Sequence, residues 1–281
     1  MTNSKKILTL LIILIIPLIL SCNSNSSTNI IKVHYIDVGQ GDSILIQVNN
    51  KNLLIDAGPS VMQDNLISYL KDNNIKNLDY IIATHPHEDH IGGMAKVIKT
   101  FNIGKFYAPN VIHDSNTFEN MITELQNKNL KINIIKKGMG GDIDLGKNTT
   151  IEVFSPLSDT YDNLNNYSPI MKITYGNTSF LFTGDAEKET ENEVIRNKSN
   201  VKSNVLKLGH HGSSSSTSEN FYSAVSPNIS IISLGINNKY GHPSKNILSL
   251  LSSAKTEVYR TDEDGTIIIS SDGANLILEQ Y

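Results

Sequence analysis

One seven-residue segment restricts this chain more than any other: Thr84-His85-Pro86-His87-Glu88-Asp89-His90 places four groups able to ligate a metal within six positions. The run from Tyr80 to Thr84 predicts a strand that stops here, and a helical pattern begins only near Gly92. A loop at a strand end can point alternating side chains at two adjacent ions, and imidazole nitrogen with carboxylate oxygen suits zinc, manganese or iron. A single ion cannot easily take His85, His87, Asp89 and His90 together, so a fold that uses them brings further ligands from distant parts of the chain. A solvated loop with Asp89 as a helix cap would account for one of these residues, not for three of the chain's eight histidines.

The chain has 281 residues, 39% of them hydrophobic, enough for one sizeable core. From Ile30 onward short β-like runs alternate with turn signals and amphipathic stretches, without an internal repeat or low-complexity break, so one domain is expected over residues 30–281. Strands are expected at 31–38, 43–48, 52–56 and 79–84, then at 151–154, 170–175, 178–183, 204–208 and 229–234. Helices are expected at 62–73, 92–100, 187–197, 218–225 and 244–253. Hairpins interleaved with helices predict two mixed sheets face to face with the helices outside.

Cys22 is the chain's single cysteine, so no intrachain disulfide braces the fold. Ahead of it, Lys5 and Lys6 precede an apolar run from Ile7 to Leu20, which at about 1.5 Å per residue falls short of a bilayer core of about 30 Å. Residues 1–21 therefore read as a secretion leader, and Ile19-Leu20-Ser21-Cys22 resembles a bacterial lipobox with Cys22 as the lipidated residue. Residues 22–29 form a polar tether that cannot pack. The expected product is exported and held at the cell membrane by the lipid on Cys22. The alternative, a cleaved leader with a free cysteine, would leave an oxidisable thiol outside the cell. The 28 acidic and 24 basic residues give a net charge of −4, or −6 once Lys5 and Lys6 are removed, which advertises no nonspecific affinity for nucleic acid.

The His-x-His-x-Asp-His segment resembles the signature of the metallo-beta-lactamase superfamily of hydrolases, and further family elements follow in order. Leu53-Leu54-Ile55-Asp56-Ala57-Gly58 resembles the early strand-end aspartate motif, and Phe180-Leu181-Phe182-Thr183-Gly184-Asp185 the strand ending in the metal-bridging aspartate. Leu206-Lys207-Leu208-Gly209-His210-His211-Gly212 resembles the late histidine motif. Three stretches, Ile36 to Ser43, His210 to Ser213 and Tyr240 to Ser244, are similar to the hydrolase domain of the DNA-uptake protein ComEC and its small secreted relatives. The resemblance implies an α/β (α+β) fold, a four-layer αββα sandwich with the site at one edge, and two divalent ions, Zn²⁺ or Mn²⁺. By that resemblance His85, His87 and bridging Asp185 hold one ion. Asp89, His90, Asp185 and a late histidine hold the other, and Asp56 orients the histidine loop by hydrogen bonds. Many members of the superfamily place another histidine before the bridging aspartate; here the stretch from Asp162 to Ser168 has none, and His113 lies too early. An ion poorer in nitrogen ligands would tolerate manganese better.

His210 and His211 are adjacent, and neighbours on a strand point to opposite faces, so one metal ligand is expected from the pair. His210, directly after Gly209, is the expected ligand, with His211 then holding a hydrogen bond or a phosphate; the reverse assignment is the alternative. His242, ahead of a helix capped by Ser244, is read as a catalytic contact to phosphate or leaving group rather than a packed turn residue. Asp89 is read as a proton acceptor as well as a ligand. Asp37 and Asp42 flank Gly39 and Gly41, whose backbone N–H groups could approach an anion, so Asp42 is a substrate-side candidate; a plain tight turn is the alternative. Ser213 is a second substrate-side candidate, against a flexible serine loop, and His34 is read as structural. These readings converge on an anchored, metal-dependent phosphodiesterase or nuclease acting on DNA or RNA, without an obligate protein partner. The alternatives are a hydrolase of envelope phosphoesters (teichoic acid or phosphocholine), a lactam or lactone hydrolase, and a non-catalytic surface-binding lipoprotein of the same fold. The missing histidine argues against the lactam reading.

Overall fold

In the computed structural model, which describes residues 30–279, the chain opens with three antiparallel strands, β1 (Ile31–Tyr35), β2 (Ile44–Val48) and β3 (Lys51–Ile55). Asn49 and Asn50, at φ 51° and 60°, make the tight turn between β2 and β3 in the left-handed backbone that asparagine tolerates. Helix α1 (Gln63–Asp72) carries the chain to β4 (Asn77–Ile82), parallel to β3. Two short helices, α2 (Glu88–Ile91) and α3 (Met94–Thr100), lead to β5 (Asn102–Ala108), and α4 (Asn116–Asn127) leads to β6 (Ile132–Ile134). A second sheet follows: β7 (Thr149–Val153), β8 (Met171–Tyr175), β9 (Thr178–Phe182), α5 (Lys188–Arg196), β10 (Val205–Lys207), α6 (Glu219–Val225), β11 (Ile229–Ile232), α7 (Lys245–Ala254) and β12 (Glu257–Arg260). After α8 (Thr261–Asp264) the chain returns to the first sheet with β13 (Ile267–Ser271) and β14 (Leu276–Glu279). The strand orders are β14-β13-β1-β2-β3-β4-β5-β6 and β12-β11-β10-β9-β8-β7.

Alternation along the strands separates two faces of each sheet. Val33, Tyr35, Ile46 and Ile55 meet Phe180, Phe182, Val205 and Ile231 between the sheets. Leu45, Leu54 and Ile81 point outward onto Leu66, Leu70, Met94 and Val97 of α1 and α3, while Leu181 and Leu206 pack on Val194, Phe221 and Leu251 of α5 to α7. Each of these side chains contributes about 1.5–3 kcal/mol by leaving water. The expected helix–sheet–sheet–helix sandwich is therefore the one observed.

The strand expected to reach Val38 ends at Tyr35, because residues 36–43 leave the sheet and lie against the histidine loop, where Asp42 N–H donates to the Asp89 carbonyl at 3.2 Å. Strands β3, β4 and β5 run parallel in one sheet and β9 to β12 in the other. The loops that leave the carboxyl ends of β3, β4, β9, β10 and β11 share one edge, the place where open parallel sheets hold ligands. Among the described residues no helix is long and apolar enough to cross a membrane. The expected leader, tether and lipidated Cys22 lie outside the described residues.

Candidate metal centre

Where β4 stops, His85 and His90 turn inward and are buried. His85 Nε2 lies 3.0 Å from His87 Nδ1 and 3.7 Å from Asp185 Oδ2, and His90 Nε2 lies 3.2 Å from the same Asp185 oxygen. Asp56, at the end of β3, stands behind His90 with Oδ2 2.8 Å from Nδ1. Its Oδ1 accepts from the Thr84 backbone N–H at 2.8 Å and its Oδ2 from the Thr84 hydroxyl at 2.7 Å, which ties the two strand ends together. Asp185 follows β9 through Gly184, whose left-handed φ of 48° and 3.0 Å clearance from Ser168 leave little room for a side chain. Asp185 N–H donates to Ser168 Oγ at 3.2 Å, and that oxygen is also 3.2 Å from His85 Nδ1.

Strand β10 ends at Lys207, and His210 and His211 sit beyond it in a 3₁₀ turn over Gly209–Gly212, both with left-handed backbone (φ 48° and 52°). Alternation of faces does not apply there, and the two rings straddle Asp185: His210 Nε2 is 3.8 Å from Oδ2 and His211 Nε2 is 3.6 Å from Oδ1. Two such residues in succession cost on the order of 1–3 kcal/mol each. Both rings of the pair, not one, face Asp185, and His211 is the buried one, with Nε2 3.4 Å from Asp89 Oδ2 and Nδ1 2.9 Å from the Ser233 carbonyl. His210, its side chain 26% exposed, turns Nδ1 to Glu187 Oε1 (3.3 Å) and Ser215 Oγ (3.1 Å).

The two substrate-side candidates, Asp42 and Ser213, are both buried. Asp42 is 1% exposed and its Oδ2 pairs with Lys207 Nζ at 2.9 Å, so it faces a buried cation, not a ligand from solvent. The glycine before it serves packing: a Cβ on Gly41 would lie 2.2 Å from the Asp89 carbonyl oxygen. Ser213 is likewise buried and spends its hydroxyl on Ser215, at 3.0 Å from Oγ and 3.2 Å from the backbone nitrogen. His242 does reach the site, its ring stacked on Tyr240 at 5.8 Å and edge-on to His210 at 5.7 Å. A cavity of about 350 Å³ opens here, lined by His87, Asp89, Asp185, His210, His211 and His242 among others. His34 lies away from it on β1, buried, with Nδ1 2.8 Å from the Tyr69 hydroxyl.

The electrostatics follow from packing carboxylates and imidazoles together out of water. Burial disfavours the His90 imidazolium, but Asp185 and Asp56 outweigh it and hold its pKa well above the ordinary histidine value. His211 is raised to about 10 against the same burial penalty, chiefly by Asp185 and then Asp42 and Asp89. For His85, burial and then His90 push the value well down. Asp185 is held well below the usual carboxylate range by His90 and His211 despite its burial.

The residues fit divalent metal. Among the described residues, His90 Nε2, His211 Nε2 and Asp185 Oδ1 are buried polar atoms that make no hydrogen bond, each a cost of about 1–3 kcal/mol that a cation would relieve. Two sets, His85 with His90 and Asp185 and Asp89 with His90 and His211, bring one ligand atom from each residue within 4.8 Å of the others. Imidazole and carboxylate together suit zinc and manganese alike. Lys207, Glu187, Ser168 and Ser233 support these groups; Lys207, Glu187 and Ser168 lie within or beside the motif segments, but nothing in their spacing marks a side chain as facing inward.

Comparison with known proteins gives a consistent picture. Residues 36–236 match the family described as the metallo-beta-lactamase superfamily. ComE operon protein 3 of Bacillus subtilis is 34% identical over 254 residues, which take in 84% of this chain and 32% of that protein. Recombination protein 2 of Haemophilus influenzae is 31% identical over 244 residues, 85% of this chain and 29% of that one. The chain thus spans about a third of the length of these curated relatives. The solved structure of the metallo-beta-lactamase fold protein YhfI from Bacillus subtilis is similar with a TM-score of 0.57 at 15% identity, covering 86% of this chain and 100% of that one, which is a likeness of fold.

Proposed function

Because the chain belongs to the metallo-beta-lactamase superfamily, we propose that it is a metal-dependent hydrolase of phosphodiesters, with DNA or RNA strands as the substrate class. The observation that carries this reading is the convergence of unpartnered His90 Nε2 and His211 Nε2 on Asp185 at the floor of an open cavity. His85, His87, His210 and Asp185 would hold one divalent ion, and Asp89, His90, His211 and Asp185 the other. Such ions supply a nucleophile from water at neutral pH and stabilise charge on the attacking and leaving oxygens of an in-line displacement. Asp89, its side chain 27% exposed to the cavity, would accept a proton from the incoming water. His242, which lines the same cavity, would offer a ring N–H to a phosphate oxygen and orient the diester. The names of the curated relatives, a ComE operon protein and a recombination protein, support nucleic acid over other phosphodiesters. The leader over 1–21, the tether over 22–29 and the lipid on Cys22, which would export the chain and hold it at the membrane, are part of the same proposal and rest on the sequence pattern.

The test is hydrolysis of bis(p-nitrophenyl) phosphate, single-stranded DNA and RNA by chelator-stripped protein returned to Zn²⁺ or Mn²⁺. Activity should reappear with metal and vanish in Asp185→Ala. Folded, metal-loaded protein that cleaves none of the three would refute the assignment.

A further inference from the structure

We propose that Lys207 is a positioning residue: through Asp42 it fixes the cation-facing nitrogen of His211. The inference rests on reading this edge as a metal centre. It begins with strand alternation. Val205 belongs to the core between the sheets and Leu206 to the outer core, so Lys207 is directed between the sheets, where it is 0% exposed. A cation there is tolerated only if paired and hydrogen-bonded. Its partners are Asp42 Oδ2 at 2.9 Å, from a loop of the opposite sheet, and the Leu208 carbonyl at 3.0 Å.

The second oxygen of Asp42 lies 3.4 Å from His211 Nδ1 without a hydrogen bond of its own, so it acts on the ring as a buried negative charge that favours a proton on that nitrogen. The Ser233 carbonyl, which can only accept, lies 2.9 Å from the same nitrogen. Nδ1 therefore carries the proton, and Nε2 is the nitrogen presented to Asp89 and Asp185. Asp42 is also near enough to be a ligand, since Asp42, Asp185 and His211 bring atoms within 4.8 Å of one another, as do Asp42, Asp56 and His90. The Lys207 ammonium holds Oδ2 and sets the carboxylate with Oδ1 beside the ring. Backbone contacts hold Asp42 in place for this: its N–H donates to the Asp89 carbonyl at 3.2 Å and its carbonyl accepts from Gly58 N–H at 2.8 Å.

The experiment titrates Co²⁺ into chelator-stripped wild type, Lys207→Met, Asp42→Asn and the double variant, following the visible bands of each equivalent, with thermal unfolding alongside. Wild type should take up two ions. Each single variant should bind one of them about 10- to 100-fold more weakly, with altered bands for that equivalent alone. The double variant should lose no more than the weaker single, because both changes act on one nitrogen. Should Lys207→Met leave a lone buried carboxylate and fail to fold, the double variant, in which both charges are gone, carries the test by the same readout. Wild-type uptake by the variants, or additive losses in the double, overturns the proposal alone. A wild-type chain that takes up no Co²⁺ overturns the proposed function and this inference with it.

Discussion

Replacing Asp56 by asparagine should weaken metal binding without disturbing the fold, because the hydrogen bonds around it dictate which way the amide must face. The Thr84 backbone N–H donates to Oδ1, so the asparagine carbonyl is forced into that position and its NH₂ into the place of Oδ2. There it meets the Thr84 hydroxyl and His90 Nδ1, 2.8 Å from the carboxylate oxygen it replaces. Two donors cannot face each other, so the imidazole proton moves from Nδ1 to Nε2, the nitrogen 3.2 Å from Asp185 Oδ2 that a cation needs bare. Restoring the productive tautomer costs the worth of a hydrogen bond to a charged group, about 1.5–3 kcal/mol. That corresponds to about 10- to 100-fold in affinity. Competition titration of Zn²⁺ against a chromophoric chelator measures it, with the unfolding temperature as the control. Asp56→Ala should lower that temperature as well, since it strands the buried Thr84 N–H, whereas Asp56→Asn should not. Wild-type affinity in Asp56→Asn, or equal loss of melting temperature in both variants, would refute the reasoning.

Other outcomes follow from the same geometry. Burial, and then Lys32, lower His34 to about 4. It is neutral when folded but protonated when unfolded between there and 6.5, so stability rises with pH across that window and up to about 3 kcal/mol is lost on acidification through it. His34→Gln should flatten the dependence of urea midpoints on pH between about 4 and 6.5, and an unchanged slope would remove this account. His242→Ala should leave uptake of two ions intact and lower kcat on diesters by about 10² or more; unchanged kcat would return His242 to a packing role. Nitrocefin should not be hydrolysed at metal loadings that support diester cleavage, and turnover there would favour the lactam reading instead.

How much of this was legible depends on whether a residue's role is local. The loop Thr84 to His90 and the strand ends before Asp56 and Asp185 declare themselves, because strand, stop and acid follow one another in sequence. β5 did not: in Asn102–Ala108 the first four positions face solvent in part or wholly, and only Phe106, Tyr107 and Ala108 are buried, so neither alternation nor a continuous apolar run marks it. β13 lacks alternation for the opposite reason, since Ile267 to Ser271 is buried at every position and its three isoleucines, followed by two serines, are too short a run to separate strand from helix. At the histidine pair, two consecutive left-handed residues break the strand periodicity, so alternation does not say which ring faces Asp185.

A stretch without a histidine still shapes the cluster. The stretch from Asp162 to Ser168 has none, yet it still reaches the centre. Ser168 Oγ touches His85 Nδ1 at 3.2 Å and receives Asp185 N–H, while Asn165 Nδ2 lies 3.4 Å from His210 Nδ1 and donates to Glu187 Oε1 at 3.0 Å. That loop therefore props the cluster through hydroxyl and amide groups, while the turn after β10 brings His210 Nε2 and His211 Nε2 to the two oxygens of Asp185. On a strand such a doublet would send one ring away from the site. The left-handed turn lets both face Asp185, so its backbone strain is the cost of turning two imidazoles of one short segment to the same carboxylate.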